Sequence, residues 1–284
     1  MGKKPENRLN DLSGREWLYW TDTLYITAYP VDATHPLRKQ HGAMKPPEVM
    51  AEIVRFFTKK GEMVLDPFAG VGGTLLGAEL EERQALGFEI NPRWVEIYAT
   101  ICRNFAICEG QIRPLKEIAG QAYRRISAPM YQGDCLKLLK ELPPASVDAI
   151  ITDPPYGCDH GATGFADETN FNMQGQVPDP WADLGNAPDL AAFLTGMASV
   201  GRELHRVLKP GRYLVMMVGD RYRQGEYLPL GYILANCMRE VGFKLKGVKI
   251  WSNKATRRRL KPYAVYSVFV PNITHQNILI LRKE

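Results

Sequence analysis

The chain has 284 residues, 45% apolar and 24% charged, with a net charge of +5; this ordinary globular usage argues against a disordered, collagen-like or low-complexity protein. No apolar run approaches the roughly 18 residues of a membrane span, and the first residues lack the apolar stretch of a signal peptide. The five cysteines form no CxxC pair and the five histidines no HExxH pair, so we expect no disulfide framework, no metal and a cytoplasmic location.

Residues 1–45 hold Trp17, Trp20, Tyr19, Tyr25 and Tyr29 with few helix signals, and read as an extension packed on the domain that begins at residue 46. A helical stretch over 46–59 leads into an apolar strand over 63–68. From there strands over 85–90, 130–133, 147–152, 213–218, 245–251 and 277–281 alternate with helical spacing over 75–82, 92–108, 136–142, 190–208 and 232–241. Such alternation predicts a mainly parallel sheet with helices on both faces. The last two strands are joined by a basic, polar segment instead of a helix, which predicts an antiparallel end to the sheet. Residues 157–188 break the pattern. They are rich in Gly, Asp, Asn and Pro, with Phe165, Phe171 and Trp181 interspersed, as in a lid or binding loop. One domain is the simplest reading of 46–284.

Charge is unevenly placed. Residues 157–201 contain no Lys or Arg, whereas 202–261 contain 15 basic and 4 acidic residues. The densest cluster holds Lys254, Arg257, Arg258 and Arg259. Such a block suits phosphate backbones, and a solvated surface turn would carry the same charge.

Two motifs carry chemistry. In the first, a strand ends at Asp66-Pro67-Phe68-Ala69-Gly70-Val71-Gly72-Gly73-Thr74, and a helix begins at Leu75. Glycines allow a tight turn and close approach of a ligand. Nineteen residues after Gly70, Glu89 ends the next strand, where an acid can accept from both hydroxyls of a ribose. The series points to an adenosine-containing cofactor. In the second motif, the strand over 147–152 runs into Asp153-Pro154-Pro155-Tyr156. Two prolines remove two N–H donors, which leaves the Asp153 carboxylate and carbonyls as acceptors beside a flat aromatic face. That end suits an amino group on a ring.

Together these motifs resemble the amino-methyltransferases of DNA, which use S-adenosylmethionine to methylate adenine N6 or cytosine N4. The resemblance runs from about His41 to the C-terminus. His41-Gly42-Ala43-Met44-Lys45-Pro46-Pro47-Glu48 resembles the helix that closes the cofactor pocket, and Tyr131-Gln132-Gly133-Asp134 the segment facing the cofactor's adenine. The family often has Thr where this chain has Gly73. The resemblance implies a Rossmann-like α/β methyltransferase fold, with a mainly parallel seven-stranded sheet whose last strand is antiparallel. It implies cofactor contacts at Lys45, Asp66, Phe68, Gly70, Gly72, Thr74, Glu89 and Asp134, and catalysis at Asp153, Pro154 and Tyr156. Double-stranded DNA is the expected partner, with the base flipped out of the stack, as in restriction-modification.

Adenine N6 is preferred over cytosine N4 on resemblance alone. Only about 30 residues follow Trp251, so we expect the large target-recognition domain usual in this class to be missing or much reduced. Short-site specificity, a homodimer or a helper specificity subunit would each account for this. The 157–188 loop and the 252–272 segment are the candidate DNA-contacting elements. Three alternatives stand: methylation of guanine amino groups in RNA, methylation of protein glutamine, and nucleic-acid binding by an inactive methyltransferase fold.

Overall fold

The computed structural model describes residues 6–157, 182–223, 226–254, 271 and 273–284. In chain order the first elements are α1 (Gly14–Trp20), β1 (Leu24–Thr27), α2 (His35–Arg38), α3 (Pro47–Phe57), β2 (Met63–Asp66), α4 (Gly73–Leu80), β3 (Gln84–Glu89) and α5 (Pro92–Asn104). The short strands β4 (Phe105–Cys108), β5 (Gln111–Pro114) and β6 (Arg124–Arg125) follow, then β7 (Met130–Gln132), α6 (Cys135–Glu141) and β8 (Val147–Thr152). The remainder comprises α7 (Leu190–Val207), β9 (Leu208–Val218), β10 (Arg221–Arg223), β11 (Glu226–Leu228), α8 (Leu230–Val241), β12 (Lys244–Asn253) and β13 (Gln276–Arg282).

Among the described residues the main sheet has the order β1-β12-β13-β9-β8-β2-β3-β7. In it β13 alone runs against its neighbours, β12 and β9, and the other pairings are parallel. The chain leaves β2 toward β3 and β7, then returns to place β8 on the other side of β2. Ligands of open α/β sheets bind at such a reversal, outside the carboxyl ends of the strands. Here that crevice lies between the ends of β2 and β8.

Period-two alternation distributes the strands between two cores. Ala149 and Ile151 of β8 pack with α3, α4 and α5, and Ile150 faces the layer built by α6, α7 and α8. All six β8 residues are buried. The helices start where short polar side chains can cap them: Asn91 accepts from Arg93 N, Asp134 from Leu136 N, and Asp189 from Ala192 N. Gly242, at φ 119°, ends α8.

The α/β class, the parallel sheet and the single antiparallel strand agree with the sequence reading, with three differences. The sheet has eight strands because β1, from the aromatic extension, pairs in parallel with β12. Its four residues are too few to show alternation, and its anchors are distant in sequence: Trp20 stacks on Phe56, and Trp251 Nε1 donates to Thr27 Oγ1 at 3.0 Å. The same extension contains a helix, α1, started by a reciprocal Ser13–Glu16 capping box. The helix expected over 92–108 stops at Asn104. Phe105–Cys108 instead form the middle strand of a small sheet ordered β5-β4-β6, since the apolar run of Phe105, Ala106 and Ile107 pairs better as a strand than it extends an amphipathic helix.

Candidate active site

The first half of the site is the turn after β2. Asp66 is buried and accepts from Thr152 Oγ1 at 2.6 Å and Phe68 N at 3.1 Å. Burial pushes its carboxyl up to about 6, against the pull of those hydrogen bonds. Gly70 adopts φ 51°, and a Cβ there would lie 3.3 Å from His41 Nε2. Its N–H donates to Glu89 Oε2 and Asn91 N–H donates to Glu89 Oε1, both at 2.8 Å. Glu89 is thus gripped by backbone on both oxygens. Burial pushes it up to about 7, offset in part by the same two bonds.

The second half is the tetrapeptide after β8. Asp153 Oδ2 forms an ion pair with Lys45 Nζ, and Oδ1 accepts from Tyr156 hydroxyl at 2.8 Å. That hydroxyl in turn accepts from Gln276 Nε2 at 3.0 Å. Burial and the neighbouring Asp153 raise the Tyr156 phenol well above its ordinary value, so it is a neutral donor. Arg221 Nη1 donates to Tyr156 O at 3.1 Å and to Gly157 O at 2.7 Å, closing the turn. Gly219 leaves room for the ring, since a Cβ there would stand 3.3 Å from it.

One cavity joins the halves. It measures about 1120 Å³ with its open mouth and is lined by the 66–70 turn, Glu89, Asn91, Lys45 and Asp153 through Tyr156. Ala182, Asp183 and Leu184 also line it, so the described end of the 157–188 loop reaches the site.

Of the residues read from sequence, Lys45, Asp66, Phe68, Gly70, Thr74, Glu89, Asp153, Pro154 and Tyr156 line this cavity. Gly72 and Asp134 do not. Gly72, at φ 80°, lies under Tyr98, whose ring a Cβ would meet at 2.2 Å, so its place is in packing the turn. Asp134 Oδ1 caps α6 by accepting from Leu136 N, while Gly133 and Cys135 beside it line the cavity. Lys45 stands against Asp153 in the target half. Lys254 is exposed at the end of β12, where its N–H donates to Thr27 O. Arg257, Arg258 and Arg259, with residues 158–181, lie outside the described residues. Burial pushes the Cys135 thiol up to about 12, so it is an inert wall.

Sequence reasoning missed Arg38, Asn91 and Gln276. Arg38 is fully buried, and its Nη2 donates to Lys45 O. A Cβ at Gly73 would lie 3.1 Å from that guanidinium and 3.2 Å from Lys45 O, so the glycine makes room for this contact. Asn91 and Gln276 carry no motif of their own. Only their places, at a helix cap after Glu89 and at the start of β13, mark them.

Three buried polar atoms on residues that line the cavity have no partner among the described residues: Asn91 Nδ2, His41 Nδ1 and Arg38 Nε. Such atoms carry a cost unless something fills the site. Glu89 keeps lone pairs beyond its two backbone bonds, which fits a ribose diol. These residues therefore fit an adenosyl cofactor.

A family model described as DNA methylase matches residues 3–100 and 147–284. The chain is 31% identical over 116 residues to a tRNA (guanine(10)-N2)-dimethyltransferase of Methanocaldococcus jannaschii, covering 41% of this chain and 29% of that one. It is 39% identical over 64 residues to the type II methyltransferase M.Cfr9I of Citrobacter freundii, covering 22% and 21%. The chain thus covers less than two thirds of either relative. Among solved structures, a Thermus thermophilus chain assigned as a DNA modification methylase, complexed with S-adenosyl-L-methionine, is 28% identical over 53% of each chain, with a TM-score of 0.36. The family match runs through both the glycine turn and the Asp153 tetrapeptide, and the chain belongs to the S-adenosylmethionine-dependent N6/N4 DNA methylase family.

Proposed function

We propose that this chain methylates the exocyclic amino group of a base in double-stranded DNA, adenine N6 in preference to cytosine N4. The observation that carries the reading is the single cavity shared by Glu89 and Asp153. In it Glu89 holds the ribose hydroxyls of S-adenosylmethionine, Gly70 gives the ligand room, and Phe68 and Cys135 supply apolar wall. The bound cofactor supplies an electrophilic methyl group on a sulfonium.

The protein's own work is orientation. An amino nitrogen on a base is a poor nucleophile because its lone pair is delocalised into the ring. The Asp153 carboxylate and the Pro154 carbonyl accept its hydrogens, which favours a pyramidal nitrogen with an available lone pair. Tyr156, fixed by Asp153 and Gln276, offers a face against the base. The proton that the amino group gives up is held at an Asp153 oxygen until solvent takes it. No covalent enzyme intermediate is required.

A base inside a duplex must be flipped to reach this depth. The Lys254, Arg257, Arg258 and Arg259 cluster is our candidate for phosphate contact. A second reading, transfer to a guanine amino group in tRNA, is favoured by the 116-residue likeness to the guanine dimethyltransferase. Nucleoside mass spectrometry after incubation with S-adenosylmethionine and either DNA or tRNA separates them. We expect N6-methyladenine in DNA. N4-methylcytosine alone would overturn the adenine preference, and methylguanosine in tRNA with unmodified DNA would overturn the DNA reading.

A further inference from the structure

Lys45 reaches Asp153 across 108 residues of sequence. It is only 7% exposed, and burying an ammonium is costly unless acceptors surround it. The chain invests in its placement. Buried Arg38 donates to its carbonyl, Pro46 and Pro47 fix the backbone beyond it, and Gly73 leaves space for the contact. A lysine has three N–H donors. Among the described residues Asp153 and, at 3.3 Å, Ala43 O take two. Lys45 and Asp153 both line the cavity, so its wall presents a cationic donor directly beside an anionic acceptor.

We infer that Lys45 and Asp153 form a two-point reader of the target base's edge: Asp153 accepts from the amino group while Lys45 donates to the ring nitrogen next to it. This rests on the function proposed above and adds the feature by which adenine and cytosine, which share one edge pattern, are selected over the other bases. Adenine presents N1 beside its N6 amino group, and cytosine presents N3 beside its N4 amino group. Both are an acceptor next to a donor. Guanine's Watson–Crick edge presents N1–H beside its N2 amino group, two donors, so Lys45 would face a hydrogen it cannot bond there, and the N3 acceptor on the other side of N2 lies close to the sugar. A site built for one hydrogen-bond pattern rejects the wrong one because its buried groups are left unpaired. Lys45 is thereby a specificity determinant.

The test is a cycle between protein and base. Once the methylated site has been mapped on plasmid DNA, duplexes are made with adenine or 1-deazaadenine at the target, the latter having C–H in place of N1. If the modified base is cytosine, 3-deazacytosine serves. Wild type should lose about tenfold or more in kcat/KM on the deaza base, as for a charged hydrogen bond. Lys45→Met should be weak on both bases and differ by less than about threefold between them, with S-adenosylhomocysteine affinity and melting temperature reporting its folding. An equal deaza penalty in wild type and Lys45→Met overturns the inference. So does a wild type that treats the two bases alike, a result that stands even if Lys45→Met fails to fold. A wild type that methylates no DNA base overturns the functional reading, and this inference with it.

Discussion

The two halves of the cavity are built in opposite ways. The cofactor half is local: Asp66, Gly70, Glu89 and Asn91 lie within 26 residues, and backbone N–H groups hold Glu89. The target half is assembled from far apart, with Lys45, Asp153, Tyr156 and Gln276 meeting through side chains across 108 and 120 residues. A backbone cradle is fixed by the turn itself. A side-chain relay depends on the whole sheet, since Gln276 reaches Tyr156 only because β13 inserts between β12 and β9. The halves should therefore fail separately.

The largest expected effect is Asp153→Ala, which should lower methyl transfer by about 100-fold or more, the scale of losing one electrostatic contact to the reacting group. Calorimetric affinity for S-adenosylhomocysteine should stay within about threefold. Parallel loss of both would break the division between the halves. Next, Glu89→Ala and Gly70→Leu should each weaken S-adenosylhomocysteine binding about tenfold or more. The alanine removes the charged acceptor, and the leucine must fit beside His41 at φ 51°. Unchanged affinity in Glu89→Ala would remove its ribose role.

Gln276→Leu sharpens the comparison further. It deletes one neutral hydrogen bond to Tyr156, worth about 1 kcal/mol, so kcat should drop severalfold while cofactor affinity holds. An unchanged kcat would leave Gln276 with a packing role only.

The smallest effect is on stability. With Glu89 raised to about 7, the folded protein holds this proton more tightly than the unfolded chain does. Its stabilising contribution is complete at acid pH, below the ordinary glutamate range, and is lost as pH rises through 7. Asp66, raised to about 6, acts in the same direction. The cofactor-free wild type should therefore lose more melting temperature between pH 5 and pH 8 than Glu89→Gln does. Equal losses would show that Glu89 titrates normally.

The same contrast explains what was legible in the sequence. The strand–turn–helix–strand–acid series exposes the cofactor half because its parts are contiguous and their spacing is the geometry. Asp153 and Tyr156 were legible for the same reason. The distant partners of Asp153 and Tyr156 were not, because neither the Lys45 ion pair with Asp153 nor the Gln276 bond to Tyr156 has a sequence period. Gly72 and Asp134 sit inside the motifs beside lining residues, Gly72 between Val71 and Gly73 and Asp134 between Gly133 and Cys135, with Gly72 packed under Tyr98 and Asp134 Oδ1 capping α6. Seven of the eight strands of the main sheet announced themselves as apolar runs. The eighth, β1, is four residues held by Trp20 and Thr27 contacts that only the fold creates.

The most direct test of one cavity with two halves is a crystal structure with S-adenosylhomocysteine and a duplex carrying the mapped site. We expect the ribose hydroxyls on the Glu89 carboxylate and, in the same cavity, an extruded base with its amino nitrogen within hydrogen-bond distance of Asp153. A ribose bound away from Glu89, or a base held outside the Asp153–Tyr156 segment, would contradict the account.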